Sequence, residues 1–201
     1  MAAAVKAGTA QSDSTLVLLG TISQWGWDSE AVDLLWALAK YPEKQREAVQ
    51  TLYRYYTKTG DTQGLYRVLV RLAELDSGNL DVQNNLAQIS LLLNAKPDEA
   101  RRTAAEVYRK MPANPAYATT YAYSLLSKGD AKGAGKIMSS MSSEQLRDPA
   151  ISAYYGICLA ALKDDRAREF LEVGRKARLL PEEKALMEKA FVTLDAEHKT
   201  P

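Results

Sequence analysis

The chain has 201 residues, 46% of them hydrophobic and 25% charged, the balance of an ordinary globular domain able to bury a core. Lys+Arg 26 against Asp+Glu 25 leave a formal charge of +1, which excludes recruitment of nucleic acid or an anionic membrane by bulk charge. One cysteine, Cys158, and one histidine, His198, exclude an internal disulfide and any multi-cysteine zinc or iron-sulfur site.

Residues 1–12 are small and polar and read as a flexible tail, with no apolar run of signal-peptide length. No later segment approaches the roughly 18 to 20 consecutive apolar residues of a spanning helix. As written, the chain is expected in the cytoplasm; if it is excised from a longer one, an extracytoplasmic location stays open.

From residue 13 to residue 180 the sequence repeats itself. A large residue followed by a small or equivalent one occurs at Leu19-Gly20, Leu52-Tyr53, Leu86-Ala87, Tyr121-Ala122 and Tyr155-Gly156, so the second members step by 33, 34, 35 and 34. An independent track of apolar pairs four positions apart runs Ala31/Leu35, Leu65/Leu69, Ala100/Ala104, Ala134/Met138 and Ala167/Leu171, with steps of 34, 35, 34 and 33. Two tracks agreeing over five units predict five helix-turn-helix units, at about 13–42, 43–78, 79–114, 115–147 and 148–180.

Inside each unit a turn separates the tracks: Trp25-Gly26-Trp27-Asp28, Thr59-Gly60-Asp61, Asn94-Ala95-Lys96-Pro97-Asp98, Lys128-Gly129-Asp130 and Lys163-Asp164-Asp165. Glycine takes the left-handed conformation that ends a helix, and aspartate caps the next one. Between units, Tyr41-Pro42, Ser77-Gly78-Asn79, Met111-Pro112-Ala113-Asn114-Pro115 and Arg147-Asp148-Pro149 stop one helix and start another. No stretch alternates with the period of two of a half-buried strand. Pro181 opens a last helix over residues 181–198, with Leu186, Ala190 and Leu194 on one face and Glu182, Glu183, Lys184, Glu188 and Lys189 elsewhere; this is a polar-backed cap for the fifth unit, followed by a short tail at 199–201.

The pattern resembles the tetratricopeptide repeat, whose units of about 34 residues carry a large residue, a small one, Gly-Asp at the turn and Ala opening the second helix. The unit that fits best runs through Tyr121-Ala122, Leu125, Gly129-Asp130, Ala134 and Met138. The resemblance implies an all-α, right-handed α-solenoid of about five repeats plus a C-terminal capping helix. Its small residues, Gly20, Ala87, Ala122, Ala134, Gly156 and Ala167, are then spacers that let paired helices approach.

The candidates for chemistry each have a structural explanation. Cys158 has no imidazole within its unit, since His198 is three residues from the end of the chain, and reads as a small buried side chain. Asp164-Asp165 reads as a turn and cap pair. Gly129-Asp130-Ala131-Lys132-Gly133 lacks the Gly-Lys-Ser/Thr ending and the preceding strand of a phosphate loop. The cations Arg166, Arg168, Arg175, Lys176 and Arg178 read as solvated surface, diluted by Glu169 and Glu172 and without aromatics for base stacking. No catalytic residue, cofactor or metal is assigned, and the chain is expected to be a non-enzyme.

By the same resemblance, the first helices line a concave groove. The groove positions fall on Arg54 and Lys58 in the second unit, Asn84, Asn85 and Gln88 in the third, Thr119 and Tyr123 in the fourth and Tyr154 in the fifth. Amide, hydroxyl and tyrosine groups suit an extended peptide or a helix. The family's clamp for acidic carboxyl-terminal tails is not reproduced, because Gln50 and Arg54 stand where Lys and Asn belong, and Ala116 and Thr120 replace the last Lys and Arg. The expected function is a protein or peptide scaffold; a homo-oligomerisation module is the first alternative and single-stranded RNA binding the second.

Overall fold

The computed structural model describes residues 28–197, and among them there are eleven α-helices and no strand. In chain order these are α1 (Asp28–Leu38), α2 (Pro42–Thr59), α3 (Thr62–Leu75), α4 (Leu80–Leu92), α5 (Pro97–Lys110) and α6 (Pro115–Leu126). They continue with α7 (Ala131–Ser139), α8 (Ser143–Leu146), α9 (Pro149–Ala161), α10 (Ala167–Gly174) and α11 (Pro181–Glu197). The expected N-terminal tail, the Leu19-Gly20 pair, the Trp25-Gly26-Trp27 part of the first turn and His198 lie outside the described residues.

The helix ends follow local chemistry. Asp61, Asn79, Asn114, Asp130 and Asp148 each accept a backbone N–H of the following helix, filling orphan donors of its first turn. Proline occupies the first turn of α2, α5, α6 and α9, where its missing N–H costs nothing. Gly60 and Gly129 close α2 and α6 with φ of 71° and 86°. The turns without glycine reach the same region at a cost of about 1–2 kcal/mol per residue: Asn94 at φ 52°, Lys96 at 47° and Lys163 at 59°. Before α5 the expected aspartate cap is absent, since the residue preceding the helix is Lys96, which does not cap through its side chain; before α10 Asp164 accepts the Arg166 N–H at 3.0 Å in the turn that leads into the helix. Helix α8 was also not anticipated. It is a single turn fixed by a capping box in which the Ser142 hydroxyl accepts from the Gln145 N–H and the Gln145 side chain accepts from the Ser142 N–H.

Helices pack with their neighbours in sequence. α2 pairs with α3, α4 with α5, α6 with α7 and α9 with α10, while α3, α5 and α7 also pack on the first helix of the next pair. First helices meet directly at α4 with α6 and α6 with α9, and α11 lies on α9 and α10. Pairs close because the crossing points are small: a Cβ at Gly156 would stand 2.7 Å from the backbone nitrogen of Leu171, and one at Gly174 would stand 2.7 Å from the Cα of Ala153. The apolar pairs read from the sequence are buried from Ala31 to Leu171.

The apolar side chains form two clusters. One joins α1, α2 and α3 through Leu34, Val49, Leu52, Tyr56, Val68 and Leu69. The other runs from α4 to α11 through Ala104, Ala122, Met138, Tyr155, Cys158 and Leu171, and α11 adds Met187, Phe191 and Leu194. Each of these three buried α11 side chains contributes about 1.5–3 kcal/mol of transfer free energy. α11 is therefore an integral part of that core.

Candidate functional site

α11 also does something the cap expectation does not include. The backbone leaves α10 at Arg175, runs without regular structure to Leu180 and enters α11, and this elbow reaches back to the first half of the chain. Leu180 packs on the cluster of α1–α3, with Leu65, Leu69 and Ile89 around the same hollow. Arg178 donates to the backbone carbonyl of Lys58, and the Thr62 hydroxyl donates to Glu182. These contacts join residues 120 apart in sequence.

The centre of the junction is Glu183, only 8% exposed although charged. A carboxylate out of water needs donors on its oxygens. The Tyr154 hydroxyl donates to Glu183 Oε1 at 2.6 Å, and Gln88 Nε2 donates to the same oxygen at 3.1 Å and to the Tyr154 hydroxyl oxygen at 2.9 Å. The second oxygen accepts from the Leu180 N–H at 2.8 Å. Because Glu183 is the third residue of α11, this last bond is the return half of a capping box. The three protein donors come from α4, α9 and the elbow, so the site exists only when all are assembled.

Tyr123 on α6 meets Tyr154 edge-on, with ring centroids 5.3 Å apart and planes at 61°. Burial, followed by the nearby Glu183 charge, pushes the Tyr123 hydroxyl up to about 12; burial and Glu183 likewise hold Tyr154 well above the usual phenol value. Both stay protonated donors across the physiological range. Further along, Asn85 donates to the Tyr53 hydroxyl at 3.3 Å, and the Tyr117 hydroxyl donates to Asp81 at 2.6 Å, a bond that raises Tyr117 to about 12.

The expected groove residues thus divide. Gln88, Tyr123 and Tyr154 converge on or beside Glu183, and Asn85 lies next to them with Lys58 on the margin of the same hollow. Arg54 is exposed and donates to the Thr51 hydroxyl. Asn84 and Thr119 are buried at 3% and 6% exposure, the latter donating to the Pro115 carbonyl, so neither offers a face to a partner in this state. Glu182 and Glu183, expected on the outer side of the cap, turn inward instead. The signal that would have found Glu183 is the spacing Leu180-Pro181-Glu182-Glu183, an apolar residue, a helix-starting proline and a glutamate at the third helical position.

A hollow of about 380 Å³ opens beside the elbow, between Tyr53, Lys58 and Asn85 on one side and Arg178 and Lys184 on the other. Most of the basic cluster around α10 is engaged within the chain. Arg166 forks onto Asp164 at 2.9 and 2.8 Å, Arg168 pairs with Asp195, and Arg175 lies 4.3 Å over the Phe191 ring centre. The Asp164 carboxyl is held below its ordinary value by that fork. Cys158 is 2% exposed, and burial pushes its thiol up to about 11, a protonated and weakly nucleophilic state. Among the described residues, no group of three or more His, Cys, Asp or Glu side chains has metal-binding geometry, and no helix is long and apolar enough to cross a membrane. No family model matches the chain, and no curated protein is significantly similar to it.

Proposed function

We propose that the chain is a non-catalytic, tetratricopeptide-like scaffold whose helix pairs stack as a solenoid, and that the first helices α2, α4, α6 and α9 line a groove that holds an acidic segment of a partner protein. One observation carries the reading: side chains of two different first helices, Gln88 and Tyr154, converge on a single carboxylate that arrives from a segment remote from both in sequence. A surface that takes one foreign-looking carboxylate with neutral donors, next to an apolar seat, has the parts a peptide receptor needs. The edge-on contact with Tyr123 holds the Tyr154 ring that presents the donor hydroxyl.

Selection from a displayed peptide library tests this. Acidic sequences are expected to enrich, and their affinity is expected to fall about thirtyfold in Gln88→Ala and to stay within twofold in Lys176→Ala, since losing an anchoring contact costs about 2 kcal/mol. Lys176 lies on the exposed stretch after α10. A library that yields no binders, or binders lost in Lys176→Ala and kept in Gln88→Ala, refutes the groove. A stable dimer in solution would favour the oligomerisation module instead.

A further inference from the structure

Residues 178–183 occupy the place where the groove would hold a partner. We propose that this elbow is a built-in competitor for the Gln88–Tyr154 site, and that the partner which displaces it is an acidic helix start of the same form: an apolar side chain followed three positions later by a carboxylate, with further carboxylates beyond. The proposal rests on the groove reading above and adds what fills the groove and what must replace it.

The elbow has the attributes of a bound peptide. Its backbone has no regular structure up to Leu180 and then forms the first turn of α11; between the two helices the backbone bonds are the short-range ones from Lys176, Ala177 and Leu179. Apart from the bond from the Leu180 N–H to Glu183, its polar contacts go to other elements: Arg178 to the Lys58 carbonyl, Glu182 to Thr62, Glu183 to Gln88 and Tyr154. Its apolar anchor, Leu180, seats on a core to which, among the described residues, no other hydrophobic residue after Leu93 contributes. The second and later turns of α11 are fixed separately, by Met187, Phe191 and Leu194 in the other core, so the elbow and first turn can leave while the rest of the helix remains.

Tethering sets the condition for displacement. A segment on a short connection acts at millimolar effective concentration, so a partner that offered only the elbow's own contacts would lose to it. The additional contacts are available in the adjoining hollow of about 380 Å³, whose α2 and α4 margin carries the cation Lys58 and the amide of Asn85 and stays in place when the elbow leaves. An incoming segment with more than one carboxylate satisfies Gln88 and Tyr154 as Glu183 does and also pairs with Lys58 and Asn85. That difference in contacts, absent from the elbow, is what shifts the population toward the open form.

The test uses the full chain, its variants Glu183→Gln and Leu180→Ala, alone and combined, and a fluorescently labelled synthetic peptide of residues 177–188. Hydrogen exchange is followed at residues 178–184, with circular dichroism and tryptophan fluorescence as controls for folding. In the double variant, exchange there is expected to rise at least tenfold, and the peptide is expected to bind at least tenfold more tightly than to the parent. A peptide carrying the same glutamate-to-glutamine change should lose that binding. Glu183→Gln alone, which retains an acceptor and the helix, should fall between the two if the double variant proves too unstable to read. Unchanged exchange in all variants overturns the proposal, because the elbow is then not held by these contacts. Equal peptide binding by parent and double variant, abolished in both by Gln88→Ala, overturns the built-in competitor and leaves the groove intact. A released elbow with no peptide bound overturns the groove itself.

Discussion

Helices α2 and α9 occupy comparable places, each the first helix of a pair, yet they are built on different terms. α9 is apolar almost all round, and residues 152–160 are buried in an unbroken run, because α6, α7, α10 and α11 surround it. α2 is polar on balance and buries Ala48, Val49, Leu52 and Tyr56 along one stripe against α1 and α3. The C-terminal end of α2 is met by the elbow at the Lys58 carbonyl, and the start of α3 is met at Thr62. α9 is enclosed by whole helices, whereas α2 packs on α1 and α3 and meets later elements through point contacts, Asn85 at Tyr53 and the elbow at Lys58, so removing one packing partner of α9 leaves others, while removing the elbow takes away one of the links that tie α2 to the later half of the chain.

The largest effects are expected around α9. Gly156→Leu drives a side chain into the backbone of Leu171 and should cost about 3 kcal/mol or more, read as a fall in melting temperature or failure to fold. If this variant melts like the parent, the tight pairing of α9 and α10 is wrong. Next come matched cavities in the two cores, Leu171→Ala and Leu69→Ala, at 0% and 1% exposure. Each should lose about 2–5 kcal/mol in chemical denaturation. All three tryptophans, Trp25, Trp27 and Trp36, lie in the amino-terminal quarter, so fluorescence follows that region while circular dichroism follows the whole. In the parent the two transitions should coincide; in the Leu180→Ala, Glu183→Gln double variant they should separate, with fluorescence first. Coincident transitions in that variant would show that the elbow contributes no coupling.

A smaller effect follows from the tyrosines. Tyr117 and Tyr123 are raised from 10.0 to about 12, so the unfolded chain gives up these protons at lower pH than the folded one. Their contribution to stability is full below pH 10 and is lost as pH rises from 10 through 12. The melting temperature should fall over that window, and phenolate absorbance should show a late-titrating class that shrinks in Tyr123→Phe. A titration without a late class refutes the buried hydroxyl environment. Smallest of all, Arg147→Ala removes an exposed pair with Glu169 at 3.4 Å and should stay within about 0.5 kcal/mol of the parent.

How much of this was legible depends on the distance over which each feature is written. Caps such as Asp61 and Asn114, the closing glycines 60 and 129 and the close approach at Gly156 depend on residues within a turn or within one helix pair, so period and spacing reveal them. The helical class followed from those signals. Helix α8 escaped because its capping box spans only four residues between stronger punctuation. In the candidate site, Gln88 and Tyr154 meet Glu183 and Tyr123 lies edge-on to Tyr154, whereas Asn84 and Thr119, on α4 and α6, are buried with bonds to Asn85 and the Pro115 carbonyl. Rotation of a helix by a fraction of a turn decides between those outcomes, and a periodicity with units of 33 to 35 residues does not fix it. The inward turn of Glu183 was hidden for a different reason. Its neighbours Glu182 and Lys184 make the local sequence look solvated, and its donors come from residues 29 and 95 positions away.

The reach of the elbow from Arg178 to Lys58 has a consequence for how such a chain can change in length. A linear array of helix pairs accepts an extra pair or loses one, because each pair touches only its neighbours. Here the elbow also touches the second helix and the last helix touches the third, and these contacts close a loop through every pair between them. Duplicating or deleting one pair would rotate and translate α11 away from Gln88, leaving Glu183 without its donors and Leu180 without its seat. The elbow therefore ties the molecule to one number of helix pairs, and a chain that gained or lost a pair would have to give up the junction altogether.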